Sequence, residues 1–423
     1  MQIVNVVGGA LLLTLGRKIF WLIFIAIAVR AAFYFSVVFP QAPLLDDDTD
    51  AVVNMLEGDR LHWHLANSDY YAAKPPGFTG LCFITYKLFG FHPNIILLLQ
   101  FILAGFVPCL AYLIAKRLID ERWAVVAAVL TAIHPPLVVY SAMRLADFNF
   151  YVPLYLWSFY CLIRLYEDGS VKNALFAGVV FGCALLFRSI IMLFFLLAAV
   201  WFILHRADGR LQRTKLTVLV MAVSACILAP WWIRNYNLFH RPVLFQTDKW
   251  FAFWAGNVPG STGSLYVGND VSVWGKHRDG FGEQFFKLDE IEQGEIFRQK
   301  TIGYFYDDRA GFLLRIVKKV FYFWYFSPHQ GQDYPLMWMM IYKIYYLCII
   351  LPAVYFIVFL LCSVKRRDFL PVLFYLFFLS FTAVHAAYFT EGRHRFCIAP
   401  VLLICTAGGL GMMSVRGRLK NIL

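Results

Sequence analysis

Charge is what this 423-residue chain has least of: 15% of its residues are Asp, Glu, Lys or Arg, against 61% apolar. That ratio excludes a soluble globule, which would have to expose a very large apolar surface. Cysteine is present but unorganised. None of the nine cysteines forms a CxxC pair and all lie in or beside apolar segments, so the pattern indicates neither a structural zinc site nor a disulfide framework in the loops. There is no internal repeat at periods of about 20 to 50 residues and no low-complexity tract. No small-residue cleavage signature follows the first apolar run, which is expected to stay in place as a first membrane span.

What the chain has instead is long apolar runs. A hydrocarbon core of about 30 Å needs roughly 17 to 25 apolar residues per crossing, and the chain divides into about ten such spans. They fall near 18–39, 94–115, 122–140, 147–164, 173–187, 190–205, 215–232, 336–361, 369–387 and 396–413. Residues 77–92 are too short to cross comfortably and carry Lys87; they read as an amphipathic helix at the surface, and would make an eleventh span if they crossed. The net charge of +12 is not a nucleic-acid footprint, because the cations sit in the short gaps between alternate spans. Those gaps hold Arg17 and Lys18; Lys116, Arg117 and Arg122; Arg206, Arg210, Arg213 and Lys215; Lys365, Arg366 and Arg367; Arg416, Arg418 and Lys420. The positive-inside rule makes them cytoplasmic. Both termini are then expected inside, with 40–93 and 233–335 outside. Three regions follow: a transmembrane module over 1–232 with a first outer loop at 40–93, an outer-face cap over 233–335, and a second transmembrane module over 336–423.

An ionisable residue at a helix centre costs about 2.5 to 3.5 kcal/mol on the insertion scale, so those near spans are informative. At the expected outer boundary stand Asp46, Asp47, Asp48 and Asp50 in "PLLDDDTD", and Lys74 in "YYAAKPPG". With them stand Arg144 and Asp147 in "SAMRLADFNF", Arg234 in "PWWIRNYNLF", and Arg393, His394 and Arg395 in "EGRHRFCIAP". Carboxylates that can act as general base, beside cations that can hold a phosphate, suit group transfer from a lipid phosphate. Each residue also has a structural alternative. The acidic run is most often a solvated loop, in which at most one or two aspartates can be catalytic; Lys74 reads also as an interfacial snorkelling lysine, Arg234 as a helix C-terminal cation, and Asp147 as an N-cap. The aromatic stripes "FYVPLYLWSFY" and "FYFWYF" read as interface belts and lipid-facing packing.

The order of these motifs carries a resemblance. An acid cluster after span one, a "GD" some ten residues on, "KPPG" before a surface helix, "PWWIRNYNLFHRPVLFQT" followed by "FWAGNVPGSTG", and "RHRFCIAP" opening the last span resemble the bacterial branch of the dolichyl-phosphate-mannose protein mannosyltransferases. The lipid A aminoarabinose transferases are among that family's relatives. The resemblance runs from about residue 18 to 413 and implies an all-α, polytopic GT-C fold. It further implies a polyprenyl-phosphate sugar donor, a lipid, glycan or protein acceptor, and inversion at the anomeric carbon. By the same resemblance one of Asp46, Asp47 and Asp48 is the base and Asp147 the second carboxylate. Lys74, Arg393 and Arg395 are candidates for the lipid phosphate, while Arg144, Arg234 and His394 stay with the substrate-binding group. No cofactor is expected, a divalent cation is not predicted, and no nucleic-acid partner is expected. The setting implied is the bacterial inner membrane with the site on the periplasmic face. The rival readings are a flippase or transporter of lipid-linked sugars, and a polysaccharide polymerase or ligase.

Overall fold

A bilayer offers no water to backbone groups, so a chain this apolar satisfies them within helices. The computed structural model describes residues 2–39, 52, 53, 55, 56, 61–205, 208–268, 271–327, 335–363 and 368–420. Asp46, Asp47, Asp48 and Asp50 lie outside these described residues. The long helices are α1 (Gln2–Phe33), α2 (Gly77–Phe89), α3 (Pro93–Ala115), α4 (Glu121–Ile133), α5 (Pro135–Met143), α6 (Phe148–Asp168), α7 (Val171–Phe187) and α8 (Ile191–Leu204). They continue as α9 (Arg210–Phe239), α10 (Glu290–Asp307), α11 (Arg309–Trp324), α12 (Leu336–Ser363), α13 (Phe369–Ala387) and α14 (Ala399–Lys420).

Among the described residues, six helical stretches are long and apolar enough to cross a membrane: Gly16–Val38, Pro93–Ala115, Glu121–Met143, Arg210–Phe239, Leu336–Cys362 and Phe369–Ala387. The other four expected spans are also helices. Two of them, α7 and α8, and the apolar part of α14 are shorter, and the tyrosines and Asn149 of α6 dilute its hydropathy. The span expected at 122–140 is broken at His134 (φ −58°, ψ 113°), because Pro135 pushes the residue before it out of the helical region. At the α6–α7 turn, Gly169 takes a left-handed φ of 60° and Ser170 accepts from the Asn173 N–H at 3.3 Å, a stop and a restart within two residues.

Small residues let the helices close on one another. A Cβ at Gly178 or Gly182 of α7 would stand 2.6 and 2.7 Å from the Cβ atoms of Val223 and Ile227 on α9. The stripe "FYVPLYLWSFY" differs from the lipid-facing expectation, while "FYFWYF" is split between buried and exposed rings. Phe150, Tyr151, Tyr155 and Phe159 are buried inside the bundle, and Phe323 is buried against His385. Helices packed on several sides bury their large rings between helices and leave Trp157 and Phe321 exposed.

Polar pairs mark the two ends of the bundle. At one, Lys18 meets Glu121 (2.6 Å), Arg117 meets Glu167 (2.7 Å), and Tyr166 bonds to His205 (3.0 Å) and stacks on Phe369. At the other lie Arg144, Asp147, Arg188, Arg234 and Arg395, treated below. Beyond that second end sits a cap. Its hairpin of β1 (Trp63–Leu65) and β2 (Ser68–Tyr70) turns through Ala66 and Asn67, both at positive φ, the geometry of a type I′ turn. Ala66 shares an aromatic core with Trp254, Phe285 and Phe297, so the first loop and the 240–307 segment form one unit. In α11, Leu313, Leu314, Val317 and Phe321 are exposed while Phe312 and Phe323 are buried. That is the pattern of a helix lying in a membrane interface.

Candidate functional site

The cluster at the capped end begins where α5 stops. Arg144 is extended (φ −133°, ψ 132°), its carbonyl accepting from Gln100 (3.2 Å) and Asn149 (3.3 Å). Three residues on, Asp147 opens α6 without capping it. Its Oδ2 stands 2.6 Å from Nε of Arg188, with side chains 10% and 25% exposed. Arg188 is the extended residue that ends α7, and its carbonyl accepts from the Tyr155 hydroxyl at 3.0 Å. The sequence reading did not single out Arg188. The signal was there, since the two-residue gap between spans 173–187 and 190–205 opens on the same side as Lys74.

Gly77 brings "KPPG" to the same place. A Cβ there would lie 2.7 Å from the Leu186 carbonyl oxygen and 2.8 Å from the Phe187 ring, so only glycine lets the Lys74 segment rest on the end of α7. The segment is held from behind. Arg234 donates to the Tyr71 carbonyl at 2.8 Å and lies over the Trp231 ring. It sits five residues before α9 ends, and so positions the Lys74 segment instead of capping a helix. Buried Glu290 accepts from the N–H groups of Tyr71 (3.0 Å) and Ala72 (3.4 Å) and from the Thr247 hydroxyl (2.6 Å).

Burial pushes the Glu290 carboxyl up from 4.5 to about 7, against the lowering effect of its donors and of Arg234. Its folded pKa lies above the unfolded one, so the associated stabilisation is complete below about pH 4.5 and is lost as pH rises through about 7. Raising pH from about 5 to about 8 is expected to remove roughly 3 kcal/mol of this one group's contribution, while His394 and Lys319, held below their usual values, contribute in the opposite sense. The Glu290 part is read as the difference between the wild type and Glu290→Gln in fluorescence melts of the full chain, with the wild type losing stability relative to the variant as pH rises.

The third contributor is "EGRHRFC". Arg393 pairs with Glu391 at 2.7 Å and is 41% exposed. His394 stacks on His385 with centroids 4.2 Å apart, and its Nδ1 accepts from the Glu391 N–H at 3.1 Å, which places any ring proton on Nε2. Burial holds its pKa well below the usual histidine value, reinforced by His385, Arg393 and Arg188. Arg395 turns the other way. It is 5% exposed, donates to the Tyr325 carbonyl, and lies over the Phe326 and Tyr346 rings. It lines, with His134, Tyr342 and Tyr346, a cavity of about 20 Å³, room for a single water. Of the two arginines, Arg393 is therefore the accessible one.

"GNVPGSTG" supports this segment. Lys319, fully buried, donates to Asn257 Oδ1 (2.9 Å) and to the carbonyls of Ala387 (3.0 Å) and Tyr388 (2.9 Å). Burial lowers its pKa to about 7, with a smaller contribution from Arg315. A Cβ at Gly256 would fall 1.9 Å from the Tyr388 carbonyl oxygen, so that glycine is required by the approach of the backbone leading to Glu391. Asp147, Arg188, Arg393 and His394 thus share one end of the bundle, with Lys74 beside them and Arg234, Glu290 and Lys319 behind. Among the described residues, no group of three or more His, Cys, Asp or Glu side chains is arranged to hold a metal ion.

Residues 73–233, from the residue before Lys74 to the one before Arg234, match the family model described as dolichyl-phosphate-mannose-protein mannosyltransferase. Among solved structures, the oligosaccharyltransferase AglB from Archaeoglobus fulgidus, in complex with an inhibitory peptide and a dolichol-phosphate, aligns over 97% of this chain and 52% of its own. The identity is 15% and the TM-score 0.55. An Archaeoglobus fulgidus oligosaccharyltransferase in the apo form aligns over 96% of this chain and 51% of its own, again at 15% identity, with a TM-score of 0.57. The fold is GT-C. This GT-C chain spans about half the length of those oligosaccharyltransferases. ArnT from Cupriavidus metallidurans bound to undecaprenyl phosphate aligns over 93% of this chain and 78% of its own, at 15% identity and a TM-score of 0.41, too low to add to the fold comparison. No curated protein matches the sequence.

Proposed function

We propose that this GT-C protein is an integral-membrane glycosyltransferase that moves a sugar from a polyprenyl-phosphate-linked donor to a hydroxyl of a lipid, glycan or protein acceptor. The observation that carries the reading is the gathering of Arg188, Arg393 and the Lys74 segment, with the carboxylates of Asp147 and Glu391, at one boundary of an apolar bundle. A lipid-anchored phosphate stands at that depth. In the reaction, an aspartate among Asp46–Asp48 removes the acceptor proton and the hydroxyl oxygen attacks the anomeric carbon with inversion. The bond to the phosphate oxygen breaks, and the negative charge that leaves on the phosphate is met by cations already in position, which stabilise it better than reorganising water does.

The pairing of helix ends, read with the basic gaps, supports ten crossings with both termini cytoplasmic and the site on the periplasmic face of a bacterial inner membrane. The test uses full-length protein in nanodiscs with a panel of radiolabelled polyprenyl-phosphate sugars. Release of polyprenyl phosphate with the label on a hydroxyl acceptor is expected. Movement of intact donor across proteoliposomes without release would establish the flippase reading in its place.

A further inference from the structure

The cap contains a pocket of about 540 Å³ that the transfer chemistry above does not use. Its walls are the 241–250 segment that follows α9 and the first half of α10, and they present Arg241, Gln246, Lys249, Trp250, Glu290 and Glu295. The volume falls within the range of small-molecule sites, which hold a few placed polar groups beside aromatic surface. Trp250 is half-buried and backed by the bare backbone of Gly294, where a Cβ would meet the indole at 3.4 Å. The Lys249 ammonium and the Arg298 guanidinium lie over the Trp250 ring, 5.6 and 5.9 Å from its centroid, and add donors there. The amide, guanidinium, ammonium and carboxylate groups, facing an apolar wall of Pro242, Val243, Leu288, Ile291 and Ile296, suit a ligand that carries hydroxyls on one side and carbon on the other.

The floor of this pocket is joined to both halves of the site. Gln246 Oε1 accepts from the hydroxyl of Ser189, the neighbour of Arg188, at 3.3 Å. Thr247 N–H donates to the Ala72 carbonyl at 2.9 Å, and Glu290 binds the Tyr71 and Ala72 amides, two to three residues before Lys74. We infer that the pocket binds the carbohydrate part of the acceptor, a neutral sugar ring packed along Trp250 with its hydroxyls taken by Gln246, Arg241 and the Glu295 carboxylate, which also holds Arg298 at 2.6 and 2.8 Å. This rests on the glycosyl-transfer reading and adds the acceptor class to it.

Saturation-transfer NMR on the full chain in nanodiscs tests it. One set of probes is the methyl glycosides of glucose, galactose, mannose and N-acetylglucosamine; the other, for the donor site, is farnesyl phosphate. At least one methyl glycoside is expected to bind, and Trp250→Ala to weaken it about tenfold with farnesyl phosphate binding unchanged. Should Trp250→Ala not assemble, Glu295→Ala, at a side chain 44% exposed, is expected to weaken the same glycoside several-fold. Binding of farnesyl phosphate but of none of the glycosides, or glycoside binding unaltered by either substitution, overturns the pocket proposal and leaves the transferase reading standing. Binding of neither probe removes the lipid-phosphate reading and the pocket with it.

Discussion

Replacing Asp46, Asp47 and Asp48 by asparagine one at a time is expected to lower sugar transfer by about 10² to 10⁴-fold at one or two of the three positions. The amount of protein in the membrane should stay at the wild-type level. Asparagine keeps the size and polarity of aspartate and removes only its ability to take a proton, so a solvated acid tolerates the change and a base does not. Asp50→Asn should behave as wild type. The other carboxylates placed at this end of the bundle, Asp147 and Glu391, are engaged with Arg188 at 2.6 Å and Arg393 at 2.7 Å, and would have to leave those contacts to reach an acceptor. The assay is release of polyprenyl phosphate from labelled donor. Full activity in all three single variants and in the triple variant would remove the first loop from the chemistry.

How much was legible in the sequence depended on whether a property was local. The apolar runs specify helices by themselves, because each backbone group in a bilayer must be satisfied within its own segment. The expected spans accordingly meet helices throughout, with the break at His134 set by the prolines that follow it. The motif residues Lys74, Asp147 and Arg393 come to one end of the bundle because span parity already placed them there. Glu290 and Lys319 were not legible. Charges are ordinary in a polar outer segment, and these two are buried only through partners 219 and 68 residues away, Tyr71 and Ala387. The burial of Phe323 and Phe326 within "FYFWYF" likewise depends on which helix packs against them. Arg188 is the intermediate case: parity put it on the correct side, and only the folded chain shows that it holds Asp147.

That ion pair sets the other large expectation. Arg188→Ala should destabilise the protein by about 3 kcal/mol, because a mostly buried carboxylate is left beside an alanine. Asp147→Asn together with Arg188→Gln should cost distinctly less, since neither side then carries a buried charge. Thermal midpoints of the full chain in nanodiscs, arranged as a double-mutant cycle with Asp147→Asn alone, report the coupling. Activity separates the structural part from the chemical one. Arg188→Lys keeps a cation near the leaving phosphate but cannot reproduce the planar fork on the carboxylate, so it should retain part of the transfer rate that Arg188→Ala loses. The doubly substituted protein, stable yet lacking the cation, should remain as slow as Arg188→Ala. A coupling near zero, with transfer restored in the double variant, would mean that Arg188 serves only packing and would return Asp147 to the candidates for the base.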